Sequence, residues 1–120
     1  MDLMLKARGA RITEHLRQVA EHKLARLERM EPRLTRLEIE IISEKNPRQG
    51  GVHRVEAAAD TPRRTFRAHA DARDVDAALD LVAEKLERQI RDHHEKLKAR
   101  RLPGAGRVKS ARAARPTQGE

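Results

Sequence analysis

The chain has 120 residues, a formal net charge of +8, no cysteine and a single aromatic residue, Phe66. This length suits one domain with an extension and is too short for two ordinary hydrophobic cores. The composition excludes disulfides and thiolate metal sites, and it disfavours RNA recognition by stacking of bases on aromatic side chains.

The first half of the chain predicts a strand, a helix and a second strand. Residues 2–8 (DLMLKAR) alternate at the period of a half-buried strand, and Gly9 ends it. The segment ITEHLRQVAEHKLARLERM places one apolar stripe, from Ile12 to Met30, at helical spacing, with Thr13 as a candidate N-cap. Strand-like alternation resumes in LTRLEIEIISEK.

The segment that follows predicts a β-hairpin. NPRQGG supplies turn residues, and VHRVEAAAD and TFRAHAD read as short strands joined by a tight turn at residues 60–62. We expect outward Arg54 and Arg67 of this hairpin to pair across strands with Glu38 and Glu40.

A second helix is predicted from the N-cap Asp74 to the LPG at residues 102–104, and it contains EKLERQIRDHHEKLKARR. The elements predict an α+β fold of order β-α-β-β-β-α, with a four-stranded sheet carrying both helices on one face. We expect residues 1–101 to form the domain, and residues 102–120 to be a basic, disordered tail or linker.

The positive charge is concentrated towards the C-terminal end. Residues 96–115 contain eight cations and no acid, whereas residues 1–95 contain 19 cations and 18 acids. On the first helix the cationic side chains are separated from the acidic ones. One flank carries His15, His22, Arg26 and Arg29, and the other carries Glu14, Glu21 and Glu28. This separation favours a surface that binds polyanions, because a solvated helix more often intersperses its charges.

Lys23 lies near the centre of the first apolar stripe, and two interpretations remain open. Its stem packs against the sheet, or its ammonium group points at a phosphate between the helices.

Metal binding and catalysis are disfavoured. His93 and His94 are adjacent, so on a helix they point about 100° apart and do not converge on one ion. The only serines, Ser43 and Ser110, have no catalytic context, and no glycine-rich loop opens a helix. We therefore predict no enzyme, no cofactor and no metal. A cationic surface poor in aromatic residues is typical of binding to structured RNA through its phosphates.

Two segments resemble a known family. MDLMLKARGARITEHLRQVAEHKLARLE is similar to the opening strand and helix of the ribosome hibernation-promoting factor family, also called the ribosome-associated inhibitor or protein Y family. RAHADARDVDAALDLVAEKLERQIRDHHEKLK resembles the last strand and helix of that family. The resemblance spans about residues 1–100, and it agrees with the predicted element order and with a double-stranded RNA-binding-like fold. One departure is Asp76, where the family often has an aromatic residue.

The resemblance implies a cytoplasmic translation inhibitor that binds the small ribosomal subunit and whole ribosomes. It would occupy the messenger RNA and A-site and P-site transfer RNA channel through ribosomal RNA, in stationary phase or stress. The basic residues expected to contact RNA are Lys6, Arg8, Arg17, Lys23, Arg26, Arg29, Lys85, Arg88, Arg91, Lys96, Lys98, Arg100 and Arg101.

Several alternatives remain open. The chain is a short family member or the N-terminal part of a long one, and pairing of ribosomes is expected only if a C-terminal dimerisation domain exists beyond it. A transcription-modulating protein acting on a sigma factor and a general binder of structured RNA are the competing functions. The longest apolar run is too short to span a bilayer, and no signal peptide is evident, so no membrane partner is expected.

Overall fold

The computed structural model describes residues 1–44 and 52–101, except for the side chains of residues 44, 52 and 101. The elements are β1 (Asp2–Arg8), α1 (Glu14–Met30), β2 (Arg36–Glu44), β3 (Val52–Asp60), β4 (Thr65–Ala72) and α2 (Val75–Arg101). This order confirms the predicted arrangement. The predicted turn at NPRQGG and the predicted tail at residues 102–120 lie outside the described residues.

The chain divides into two compact units, and the boundary falls inside α2. The first unit, Met1–Ile90, contains the sheet, α1 and the first part of α2. The second begins at Arg91, and its described residues are the remaining turns of α2. The division into a domain at 1–101 and a tail at 102–120 stays a prediction.

The four strands form one sheet in the order β1-β2-β3-β4, with β1 parallel to β2 and the other neighbours antiparallel. A parallel pair needs a crossover connection, which α1 supplies. Apolar side chains line up across the strands, as in the row Leu5, Ile39 and Ala57. One core cluster joins this apolar face to both helices, which confirms the predicted α+β fold.

The core is almost entirely aliphatic. Its largest fully buried side chains are Leu24, Leu27, Leu37, Ile39, Ile41, Val55, Leu79, Val82, Leu86 and Ile90. Burying each contributes about 1.5–3 kcal/mol. Ile12 departs from the predicted stripe, because it precedes the N-cap and remains 38% exposed. The buried stripe of α1 therefore begins at Leu16.

Both helices begin at the predicted caps. The Leu16 backbone N–H donates to Thr13 Oγ1 at 3.0 Å, and the Ala77 N–H donates to Asp74 Oδ1 at 2.7 Å. These bonds satisfy N–H groups that the first helical turn leaves without partners. Neither helix, within the part of the chain that the structure describes, has the length and apolar character needed to cross a bilayer.

The open face of the sheet, on the side away from the helices, carries a ladder of charged residues whose pairing differs from the prediction. Glu38 accepts a hydrogen bond from Arg36 Nη2 of its own strand at 2.8 Å and lies 3.6 Å from Lys6 Nζ of β1. Glu40 lies 3.3 Å from Arg8 Nε of β1. Arg54 instead pairs with Glu56 of its own strand at 2.8 Å. The expected pairing of Arg54 and Arg67 with these glutamates is therefore wrong. The register explains this, because Glu38 and Glu40 stand opposite Ala58 and Glu56 of β3, whereas Arg54 stands opposite Ile42. Arg67 lies on β4, which β3 separates from β2.

Candidate nucleic-acid interface

The outer side of the first unit is formed by α1 and α2, which two ion pairs join. Lys23 Nζ lies 2.6 Å from Asp80 Oδ1, and Arg26 Nη2 lies 3.6 Å from Glu87 Oε1. We call the surface formed by these four residues the inter-helix groove. The ammonium group of Lys23 therefore extends towards α2, in agreement with the interpretation that places it between the helices. The charged group that it contacts there is the carboxylate of Asp80. The two cations of the groove are both partnered.

The predicted cations elsewhere on the helices of this unit have no acid partner among the described residues. Arg29 and Arg88 are exposed, and their helical positions are opposite the buried stripes of α1 and α2. Arg17 is half-buried and lines a recess of about 660 Å³ between α1 and β1, together with Glu21 and Glu28. Arg29 and Arg88 are thus the most accessible predicted contacts of the helices in this unit.

The acidic flank of α1 lies beside β1. The amino group of Met1 donates to Glu28 Oε2 at 2.8 Å in the same recess. This hydrogen bond to a carboxylate raises the pKa of the amino group above its usual value. Glu21 and Glu28 of α1 therefore lie towards β1, and Arg26 lies towards α2.

Lys85 lies at the free edge of the sheet. Its ammonium group donates to the His69 carbonyl of β4 at 2.7 Å, and Gln89 Nε2 donates to the Arg67 carbonyl at 2.7 Å. These two side chains cover backbone acceptors that an edge strand otherwise leaves open. Lys85 thus has a structural contact that its position in a cationic run did not predict.

Lys6 and Arg8 belong to the other side of the first unit. Both project from β1 onto the open face of the sheet, where Glu38 and Glu40 are their partners. Arg54 shares this face, and hydrogen bonding to Glu56 raises the pKa of its guanidinium group further above the usual value. The structure therefore divides the predicted contacts of this unit between two faces of the sheet.

The described turns of α2 in the second unit carry the remaining predicted contacts. Arg91, Lys96, Lys98 and Arg100 are exposed and have no acid partner among the described residues. Helical spacing places Arg91 and Lys98 on one side of α2, and Lys96 and Arg100 on another. Arg101 is the last helical residue, and its side chain lies outside the described residues.

His93 and His94 are adjacent residues of α2. The ring centroids of His93 and His94 are 6.2 Å apart and the rings are tilted by 45°. Within residues 1–44 and 52–101, no three histidine and acidic side chains are grouped so that they could hold a metal ion.

Sequence reasoning missed Asp80 and Glu87, the acids that pair with Lys23 and Arg26. Asp80 and Glu87 are seven residues apart on α2, a spacing that places them on one flank. This regular spacing was a usable signal for an acidic flank. Its position next to α1 became visible only with the packing of the two helices.

A family model described as "Sigma 54 modulation protein / S30EA ribosomal protein" matches residues 3–98. The chain belongs to this family. The matched segment begins in β1, ends in α2 and contains the four elements between them in full. The resemblance inferred from the sequence is thereby confirmed.

Two relatives of this S30EA family chain are both named ribosome hibernation promoting factor. It is 35% identical to a ribosome hibernation promoting factor of Azotobacter vinelandii over 71% of the chain and 75% of the relative. A ribosome hibernation promoting factor of Pseudomonas putida is 31% identical over 80% of the chain and 89% of the relative.

Two solved structures share the fold. A ribosomal subunit interface protein from Coxiella burnetii has a TM-score of 0.68 at 25% identity, covering 79% of this chain and 99% of the other. The N-terminal domain of Thermus thermophilus Protein Y has a TM-score of 0.63 at 28% identity, covering 78% and 99%.

Proposed function

We propose that this chain is a ribosome hibernation factor that binds the small ribosomal subunit and inhibits translation. The observation that carries the proposal is its match to the S30EA family over residues 3–98, with relatives named ribosome hibernation promoting factor at up to 35% identity. Its activity on this account is binding rather than catalysis, in the cytoplasm where ribosomes are found.

The chain is further proposed to occupy the channel for messenger RNA and for A-site and P-site transfer RNA. Exposed cations lie on both sides of the first unit, Arg29 and Arg88 on the helices and Lys6 and Arg8 on the open face of the sheet. A protein inside an RNA-lined channel meets phosphates from several directions, and each neutralised phosphate adds to affinity. A protein docked on a flat RNA surface would use one side only.

We keep the RNA contacts predicted from the sequence and rank them by their exposure and by whether an acid is paired with them. Arg29 and Arg88 rank first, because they are exposed and have no acid partner among the described residues. In the second unit, Arg91, Lys96, Lys98 and Arg100 share these properties. Lys6, Arg8 and Lys23 rank lower, because each is paired with a carboxylate. Arg26 ranks between the two groups, because it is 64% exposed while its partner Glu87 is 15% exposed.

Co-sedimentation with salt-washed ribosomes and isolated subunits tests this function. We expect the protein in the small-subunit and whole-ribosome fractions of a sucrose gradient, and we expect excess transfer RNA and messenger RNA to displace it. Its absence from small-subunit fractions at stoichiometric protein would contradict the proposal. Pairing of ribosomes is not expected unless a dimerisation domain is present beyond this chain.

A second candidate function is modulation of a sigma factor. The family description names a Sigma 54 modulation protein, which is the observation that favours it. The same gradient discriminates between the two, because comigration with RNA polymerase in place of ribosomes would support the second candidate. Equal affinity for unrelated RNA duplexes would instead indicate a general binder of structured RNA.

A further inference from the structure

The two ion pairs of the inter-helix groove differ in which partner is recessed. In the first pair the cation is inside: the Lys23 side chain is 23% exposed and that of Asp80 is 60% exposed. In the second pair the acid is inside: Arg26 is 64% exposed and Glu87 is 15% exposed. Two acids on one flank of α2 therefore have opposite positions relative to solvent.

An anion that approaches Lys23 from solvent meets the carboxylate of Asp80 first. Asp80 Oδ1 lies 2.6 Å from the ammonium nitrogen, which is a close charge-assisted hydrogen bond. The repulsion between this exposed carboxylate and a phosphate opposes the attraction of the recessed lysine. A phosphate therefore reaches Lys23 only after displacing Asp80.

Arg26 has the reverse geometry. Its guanidinium group offers five N–H donors in a planar fork, and Glu87 contacts it through Nη2 at 3.6 Å from the recessed side. The solvent-facing donors remain available to a phosphate, to which arginine binds bidentately. The recessed carboxylate attracts the guanidinium group electrostatically, and any orientation that this attraction favours lowers the conformational cost of that contact.

We propose that Asp80 blocks the approach of RNA phosphates to Lys23, whereas Glu87 is a positioning residue that orients Arg26 for binding to RNA. The proposal rests on the proposed RNA-binding function and adds a basis for its selectivity. An RNA surface with enough phosphate contacts displaces Asp80 and engages Lys23, and a weaker partner does not. An exposed carboxylate that must be displaced reduces binding to RNAs that offer too few phosphate contacts.

The sign of two charge-neutralising substitutions tests the proposal. Affinity for a short RNA hairpin and for ribosomes is measured across a salt series for Asp80→Asn and Glu87→Gln. Asp80→Asn should tighten hairpin binding about two- to fivefold, the range of one exposed ion pair. It should also steepen the salt slope by about 0.7–0.9, equivalent to one more neutralised phosphate. Glu87→Gln should weaken binding by a similar factor.

Glu84→Gln is the matched control. Glu84 is an exposed acid of α2 with no ion pair among the described residues, and its substitution makes the same change in net charge. Charge counting alone predicts equal tightening by all three substitutions. That result would overturn the proposal, as would tightening by Glu87→Gln.

Double variants separate these roles from general effects on the fold. Lys23→Gln should remove the gain of Asp80→Asn, and Arg26→Gln should remove the loss of Glu87→Gln. Changes in affinity that persist in the double variants would overturn the assignment. Urea unfolding of each variant measures the structural contribution separately.

Lysine acetylation measured by mass spectrometry makes the test independent of ribosomes. Asp80→Asn should raise the labelling of Lys23 relative to Lys6, and inorganic tripolyphosphate should then protect Lys23 in the variant more than in the parent protein. Unchanged labelling and protection would overturn the role of Asp80. Opposite effects of the two acids on hairpin binding, without binding to ribosomes, would refute the proposed function and leave this inference standing.

Discussion

Lys85 and Arg88 are three residues apart on α2, yet the structure gives their side chains different neighbours. Lys85 donates to a carbonyl of β4, whereas Arg88 is exposed and has no acid partner among the described residues. At the scale of single residues, a cationic side chain in a basic run can therefore be engaged in a structural hydrogen bond instead of being available to bind an anion. Gly9 shows a similar dependence on context, because its backbone has φ of +70° and approaches β2 closely.

Replacing Gly9 with alanine should destabilise the protein strongly. A Cβ at this position would meet the carbonyl oxygen of Ser43, and the left-handed conformation is itself unfavourable for alanine. We expect a loss of about 2 kcal/mol or more in the free energy of unfolding, measured by urea denaturation. Arg11→Ala, at an exposed position two residues along the chain, is the control, and unchanged stability of Gly9→Ala would contradict the close approach.

At the scale of elements, α2 protects the edge of the sheet through matched repeats. Four residues of helix advance about 6 Å and two residues of strand advance about 6.6 Å. Lys85 and Gln89 therefore reach alternate carbonyls of β4, those of His69 and Arg67. The strands and helices could be predicted because each has a clear hydrophobic period in the sequence. The contacts of Lys85 and Gln89 could not, because they depend on α2 lying over the β4 edge of the sheet.

Substitution of Gln89 by alanine should lower the free energy of unfolding by about 1 kcal/mol, because the Arg67 carbonyl loses its donor. Arg88→Ala changes the neighbouring residue, which has no described hydrogen bond, and should stay within about 0.5 kcal/mol. Guanidinium chloride titration compares the two. Equal stability of both variants would mean that the bond to β4 contributes nothing.

At the scale of the whole molecule, the sequence predicted the fold well and the interface incompletely. Alternation and helical spacing established all six elements, because local periodicity follows from which face is buried. The pairing of Lys23 with Asp80 and of Glu38 with Lys6 depends on which elements become neighbours. Strand order and helix packing bring those charges together, and neither can be read from local patterns.

Occupation of a channel predicts that both sides of the first unit contribute to binding. Neutralising the open face with Lys6→Gln and Arg8→Gln should weaken association with the small subunit. It should also flatten the salt slope by about 0.7–0.9 for each phosphate that is no longer neutralised. Filter binding across a salt series measures both quantities. Unchanged affinity and slope, with the fold intact by circular dichroism, would indicate docking by the helices alone.

The central claim is that cations on the outer side of the helices hold ribosomal RNA. Its most direct test is sucrose-gradient sedimentation of Arg29→Glu/Arg88→Glu with small subunits, beside the parent protein. Both residues are exposed and have no acid partner among the described residues, so the variant should unfold at the same urea concentration. We predict that the parent protein sediments with the subunit and that the folded variant remains at the top of the gradient. Full retention of the variant on the subunit at physiological salt would contradict the claim.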